Sequence, residues 1–164
     1  MFEHLKLAQL KKRQGVITTV DIRPNTPICE FTGNLYTTDT LCELSAEDQN
    51  ISTQIGPNVY LSPSGTITDQ INHSCNPNCM VHAVGRRAIL YSLYFIRANT
   101  EITFDYSTTS NEDHSTWKME CNCGAFNCRK EISGFQLLDP KLQEEYKQKG
   151  VAALFIRYNI FNRK

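Results

Sequence analysis

Three cysteines fall within one short run, Cys121-Asn122-Cys123-Gly124-Ala125-Phe126-Asn127-Cys128, in a chain of 164 residues. Structural Zn²⁺ takes sulfur ligands in fours, tetrahedrally and with no open position. The run supplies three thiolates, so a fourth must come from elsewhere, and any fold that satisfies the metal has to bring two distant segments to one point. Cys75 and Cys79, both within Asn72-His73-Ser74-Cys75-Asn76-Pro77-Asn78-Cys79, are the nearest donors, and Cys75 is preferred. The seven cysteines are an odd number, and no signal peptide is read at the amino terminus. The expectation is thiols that bind metal in a reducing, intracellular compartment, cytoplasmic or nuclear.

Lys plus Arg and Asp plus Glu balance at 17 each, so the overall charge advertises no polyanionic partner and no direct nucleic-acid binding is expected. No apolar run approaches the ~20 residues that cross a bilayer, so no membrane partner is expected either. The length is that of one domain with room for a sizeable core.

Short strand-type runs broken by turn residues dominate the first half: Val16 to Val20, Pro27 to Phe31, and Val59 to Leu61. Gly85-Arg86 reads as the turn of a hairpin joining Met80–Val84 to Ala88–Phe95. Two segments echo each other, Ile22 to Ile28 and Ile96 to Ile102, each with Asn-Thr just ahead of a strand. Asn tolerates the left-handed conformation of a tight turn, so both read as corners and not as a true repeat. Past the cysteines the pattern becomes helical. Asp139 caps, Pro140 takes the first helical position, strong helix formers run to Lys149, and Gly150 closes. Leu142 and Tyr146, four apart, share the inward face, and Val151 to Phe161 packs back on the domain as a second helix.

NHSCNPNC at 72 to 79, EITFDY at 101 to 106 and the CxCxxxxC run, in that order, resemble the SET-domain protein-lysine methyltransferases with a post-SET zinc segment. Gly15-Val16, Asp21-Ile22 and Glu30-Phe31-Thr32-Gly33 extend the likeness, which covers residues 12 to 134. It implies a mostly β fold of several small sheets, with a SET domain at 1 to 117, a post-SET zinc segment at 118 to 134 and a helical C-terminal extension at 135 to 164. It also implies methyl transfer from S-adenosylmethionine to a lysine nitrogen of a protein substrate. A lysine amine is mostly protonated near neutral pH, but a neighbouring sulfonium and an apolar channel both disfavour the ammonium form. The reaction is then largely a matter of aligning nitrogen, methyl carbon and sulfur.

Carried onto this chain, the resemblance makes Tyr106 the catalytic tyrosine. Phe104 becomes the position that tunes how many methyl groups are added, a Phe implying di- or trimethylation. Cofactor binding falls to Gly15, Val16, Asn72, His73, Tyr106 and Ile132, and a single structural zinc to Cys75, Cys121, Cys123 and Cys128. Two features depart from the family. Arg13-Gln14-Gly15 keeps only the second of two glycines, and no aromatic stands at 50 to 55 for a second channel tyrosine, where Tyr60 is nearest but looks misspaced. The stretch from Thr37 to Gly65 is also short for a peptide groove. The missing second tyrosine and the shortened groove motivate a rival reading, a SET-like binding module without turnover, and a SET-fold enzyme acting on a small molecule is a third. His4, His82, His114, Cys29, Cys42 and Asp105 read as ordinary core or surface residues, and Trp117 is left open between stacking and packing.

Overall fold

The computed structural model describes residues 3–11, 13–111 and 117–158. The chain opens with an antiparallel pair, β1 (Leu5–Gln9) and β2 (Gln14–Thr18), followed by β3 (Pro27–Phe31) and β4 (Leu35–Tyr36). A short helix, α1 (Ala46–Ile51), precedes β5 (Thr53–Gly56) and β6 (Val59–Leu61). Next come β7 (Asn72–His73), β8 (Cys79–Val84), β9 (Arg87–Ser92) and β10 (Thr103–Phe104). The chain continues through β11 (Lys118–Glu120), β12 (Glu131–Ser133), α2 (Pro140–Gln148) and α3 (Leu154–Arg157). Among the described residues the strands form five small sheets, pairing as β1-β2, β10-β7, β11-β12, β3-β9-β8 and β4-β6-β5. None of the described helices is long and apolar enough to cross a membrane.

The β8–β9 hairpin turns at Gly85, which adopts φ +62°. The first strand run ends at Thr18, short of Val20, because the Thr18 hydroxyl folds back to the Val20 carbonyl and starts a turn. Asn25 and Asn99 both sit at positive φ, 57° and 65°, and the two echoing corners meet in a bridge between Ile22 and Ile96. Their likeness is therefore one turn used twice across a shared contact. In α2 the Asp139 carboxylate accepts the Lys141 N–H at 2.8 Å, Pro140 stands first, and Gly150 closes at φ +71°. The second helix is the short α3, and the remainder of that expected segment, beyond residue 158, lies outside the described residues, as does His114.

The main core runs through Val16, Val81, Leu90 and Ile102 and continues without a break into Phe135, Tyr146, Phe155 and Ile156 of the C-terminal extension. A smaller cluster of Cys75, Cys121 and Ile132 lies beside it, with Tyr106 and Trp117 packed against it. Tyr106 borders both clusters.

Candidate functional site

The parallel pairing of β7 with β10 sets His73 opposite Phe104, so the NHSC and FDY strings run side by side although some thirty residues separate them in the chain. The loop after β7 presents Cys75 to the 121–128 run. Its Sγ stands 3.8 Å from that of Cys121, and Cys128 Sγ stands 3.7 Å from Cys121 on the other side. Around a Zn²⁺ with Zn–S bonds of about 2.3 Å, the edge of a tetrahedron measures about 3.8 Å. Those two separations fit that ion. Burial pushes the Cys75 and Cys121 thiols up. Burial acts the same way on Cys123, but N–H groups of Cys75 and Ala125 aimed at its sulfur bring it down to about 7. Cys79 is elsewhere, fully buried in β8, with its thiol donating to Asn78 Oδ1.

His73 also comes close. One ligating atom each from His73, Cys75, Cys121 and Cys123 lie within 4.8 Å of one another, so His73 competes with Cys128 for the fourth place. The ring's other nitrogen favours Cys128. His73 Nδ1 accepts the Tyr106 N–H at 3.2 Å, which leaves the proton on Nε2, 3.2 Å from Cys75 Sγ. A protonated Nε2 donates to the sulfur and has no lone pair for a metal. Burial lowers the His73 pKa to about 4 against the opposing pull of Asp105, so the ring is neutral near pH 7.

Tyr106 points its hydroxyl at the Ile71 carbonyl, 2.7 Å away, and its ring meets those of Phe104 and His73 with centroids 4.9 and 5.4 Å apart. Burial raises this phenol to about 12, so it keeps its proton. It forms one wall of a cleft of about 180 Å³, shared with Phe31, Tyr60, Ile71, Phe104 and Trp117. Tyr60, misspaced in the sequence, reaches the cleft because β6 pairs with β5 and carries it, 5 % exposed, into the same wall. The short stretch from 37 to 65 contributes much of the rest, including Leu41 and residues 49 to 54.

Gly15, Val16 and Asn72 lie on another side. A Cβ on Gly15 would stand 2.6 Å from Glu101 Oε1 and 2.8 Å from Asn72 Nδ2, so this position accepts no side chain without displacing both. Asn72 spends its amide hydrogens on the Gln14 carbonyl and Glu101 Oε1, at 2.7 and 2.9 Å, and among the described residues no hydrogen bond reaches its Oδ1. Arg13, standing where the family's first glycine is expected, pairs with Glu101 at 3.0 Å. Ile132 is buried in β12, against Cys75, Cys121 and Tyr106.

Three contributors carried no distinguishing signal in the sequence. The Ile71 carbonyl is main chain, invisible in residue type. Arg129 and Tyr146 converge on Asp105, and only the tertiary fold brings them there.

Histone-lysine N-methyltransferase Su(var)3-9 of Drosophila melanogaster is 30% identical over 142 residues, covering 71% of this chain and 22% of that protein. Histone-lysine N-methyltransferase SETD1B of Xenopus laevis is 41% identical over 69 residues, 40% of this chain and 3% of that protein. This chain thus spans less than a quarter of either relative's length. Among solved structures, KRYPTONITE in complex with mCHH DNA, H3(1-15) peptide and SAH superposes with a TM-score of 0.60 at 26% identity, over 79% of this chain and 29% of that one. SUVH6 of Arabidopsis thaliana in complex with SAM, at 21% identity and a TM-score of 0.65 over 79% of this chain and 33% of that one, shares the fold. The SET domain profile matches residues 13–107, more than half of the sequence, and the chain belongs to the SET-domain family.

Proposed function

We propose that the chain is an S-adenosylmethionine-dependent methyltransferase that modifies the side-chain nitrogen of a lysine in a protein. The observation that carries this reading is the cleft at Tyr106: a protonated phenol, a backbone carbonyl 2.7 Å from it, and aromatic walls around a space of about 180 Å³. Small-molecule sites are typically about 300–1,000 Å³. This one suits a single extended side chain, which favours a lysine channel over a small-molecule pocket. Phe31, Phe104 and Trp117 disfavour the ammonium form of an amine held between them. Tyr60 on β6 supports turnover over a binding module, since a second phenol lines the same cleft.

When bound, S-adenosylmethionine supplies an electrophilic methyl group on a sulfonium. We assign its binding to Gly15, Val16, Asn72, His73, Tyr106 and Ile132. The bare α-carbon of Gly15 keeps the Asn72 amide and Glu101 locked together, leaving Asn72 Oδ1 to accept from an ammonium. Val16 and Ile132, both buried, belong to the two apolar clusters that Tyr106 borders. Zinc is assigned to Cys75, Cys121, Cys123 and Cys128. The His73 Nε2–H is assigned to support Cys75 as an outer partner.

Between Arg23 and Arg86 there is no Lys or Arg, whereas Glu30, Asp39, Glu43, Glu47, Asp48 and Asp69 all fall there. The cleft is built mostly from this stretch, which supports a target whose lysine lies among basic residues, as in the histone tails on which the named relatives act.

The test is incubation of the zinc-loaded chain with labelled S-adenosylmethionine and, separately, histones, ribosomal proteins and an uncharged-flank lysine peptide, with mass analysis of products. Label in a lysine of a basic protein, beyond the monomethyl state as Phe104 implies, is expected. No transfer to any protein despite measurable S-adenosylhomocysteine binding by calorimetry would overturn the protein-methyltransferase reading.

A further inference from the structure

Asp105 is wholly buried, and three donors from three parts of the chain converge on it, with His73 beside them. The Arg129 guanidinium grips it with Nη1 at 2.6 Å and Nη2 at 2.8 Å, and the Ser107 N–H donates to it at 3.1 Å. The Tyr146 hydroxyl of α2 donates at 2.9 Å, and His73 Nδ1 stands 3.4 Å away. A buried carboxylate is costly unless its lone pairs are met, so the three donors hold one another in place, while His73 Nδ1, which accepts the Tyr106 N–H, stands beside them and donates nothing.

The lever arms on either side are one residue long. Asp105 immediately precedes Tyr106, and Arg129 immediately follows Cys128 while its own N–H donates to Cys75 Sγ at 3.4 Å. The extension reinforces the same region from two further directions: the Ala153 N–H donates to the Thr108 carbonyl at 2.9 Å, and the Phe135 N–H to that of Ser110 at 2.7 Å. The Arg129, Phe135, Tyr146 and Ala153 donors all lie beyond the residues the SET domain profile matches.

We infer that α2 is a working part of the site and that Tyr146 is a positioning residue, its hydroxyl clamping the cysteine-bearing segment, through Asp105 and Arg129, against Tyr106 and the cleft. The inference takes the site to be the one proposed above, but its test reads the clamp without methyl transfer. Trp117 is the chain's single tryptophan, lines the cleft and packs against the cysteine cluster. Its emission therefore reports how firmly that segment is seated.

Tyr146→Phe removes one hydrogen bond to a buried charge and leaves the ring's packing intact. Leu142→Ala removes apolar contact from the same face of α2 without touching Asp105, and serves as the control. In the full zinc-loaded chain, Tyr146→Phe should speed chelator-driven zinc release by about tenfold, the scale of one hydrogen bond to a charged group, and should roughly double acrylamide quenching of Trp117. Leu142→Ala should lower the melting temperature at least as much with both readouts near wild type. Equal zinc release and quenching in Tyr146→Phe and wild type would overturn the clamp. So would changes in both variants that simply track melting temperature. Loss of methyl transfer to every acceptor with the clamp readouts as expected would instead count against the catalytic reading alone.

Discussion

A phenol that donates to a main-chain carbonyl can do two things at once: fix its own ring and hold that carbonyl's lone pair along a known direction. Tyr106 does this with Ile71, while its backbone N–H is accepted by His73. Replacing it with Phe leaves the contacts with Phe104 and His73 in place and removes only the hydroxyl. The expected result for Tyr106→Phe is a fall in kcat of about 10²-fold, the scale of one lost catalytic hydrogen-bonding group, with S-adenosylhomocysteine affinity by calorimetry nearly unchanged. Wild-type turnover would remove the hydroxyl from the mechanism. Tyr106 and Phe104 were legible because a short string names them. Tyr60 was not, because linear spacing carries no information about which strand pairs with which. A shift in register between Gln54 and Gly56, where β5 faces β6, belongs to the geometry that aims Tyr60. No residue type announces that shift.

At the level of elements, cap chemistry and turn chemistry read well. Asp139-Pro140 to Gly150 bounds α2, and the two Asn-Thr corners take the left-handed conformation that Asn permits. Two-residue strands do not read well. β7 and β10 have too few residues to show a period, yet their pairing sets His73 against Tyr106 and places Cys75 where Asn127 and Arg129 reach it. The ligand assignment proposed above rests on the turn that follows β10. The Tyr106 N–H fixes the His73 tautomer, which makes the imidazole a donor to Cys75 and favours Cys128 as the fourth ligand. Cys128→Ser should therefore leave the dialysed protein without stoichiometric zinc by metal analysis. His73→Gln should keep one zinc per chain at an affinity lower by about 10–100-fold, the usual cost of losing an outer partner. The reverse pattern would make His73 the ligand.

Over the whole molecule the charges cancel, but they are not mixed. All 17 Lys and Arg fall outside residues 24 to 85, so the stretch that builds most of the cleft carries carboxylates alone. Glu47 and Asp48 open α1, whose following residues line the cleft, and Glu43 sits in the tight turn just before it. Glu43 and Glu47 are exposed and Asp48 half-buried, and such carboxylates attract a cationic peptide over about one Debye length, ~10 Å at 0.1 M salt and ~3 Å at 1 M. Their contribution is to capture, and the chemistry at Tyr106 lies beneath aromatic walls that screening reaches far less. KM for a lysine peptide with Arg and Lys flanks should accordingly rise severalfold as salt increases across that range, while kcat holds and a peptide with neutral flanks shows little change in KM. Neutralising Glu47 and Asp48 together, as Gln and Asn, should flatten the salt dependence for the basic peptide. Steady-state kinetics on the two peptides, with and without that pair of substitutions, measures it. Identical salt responses for basic and neutral flanks would show that the acidic stretch has no part in recognising the target.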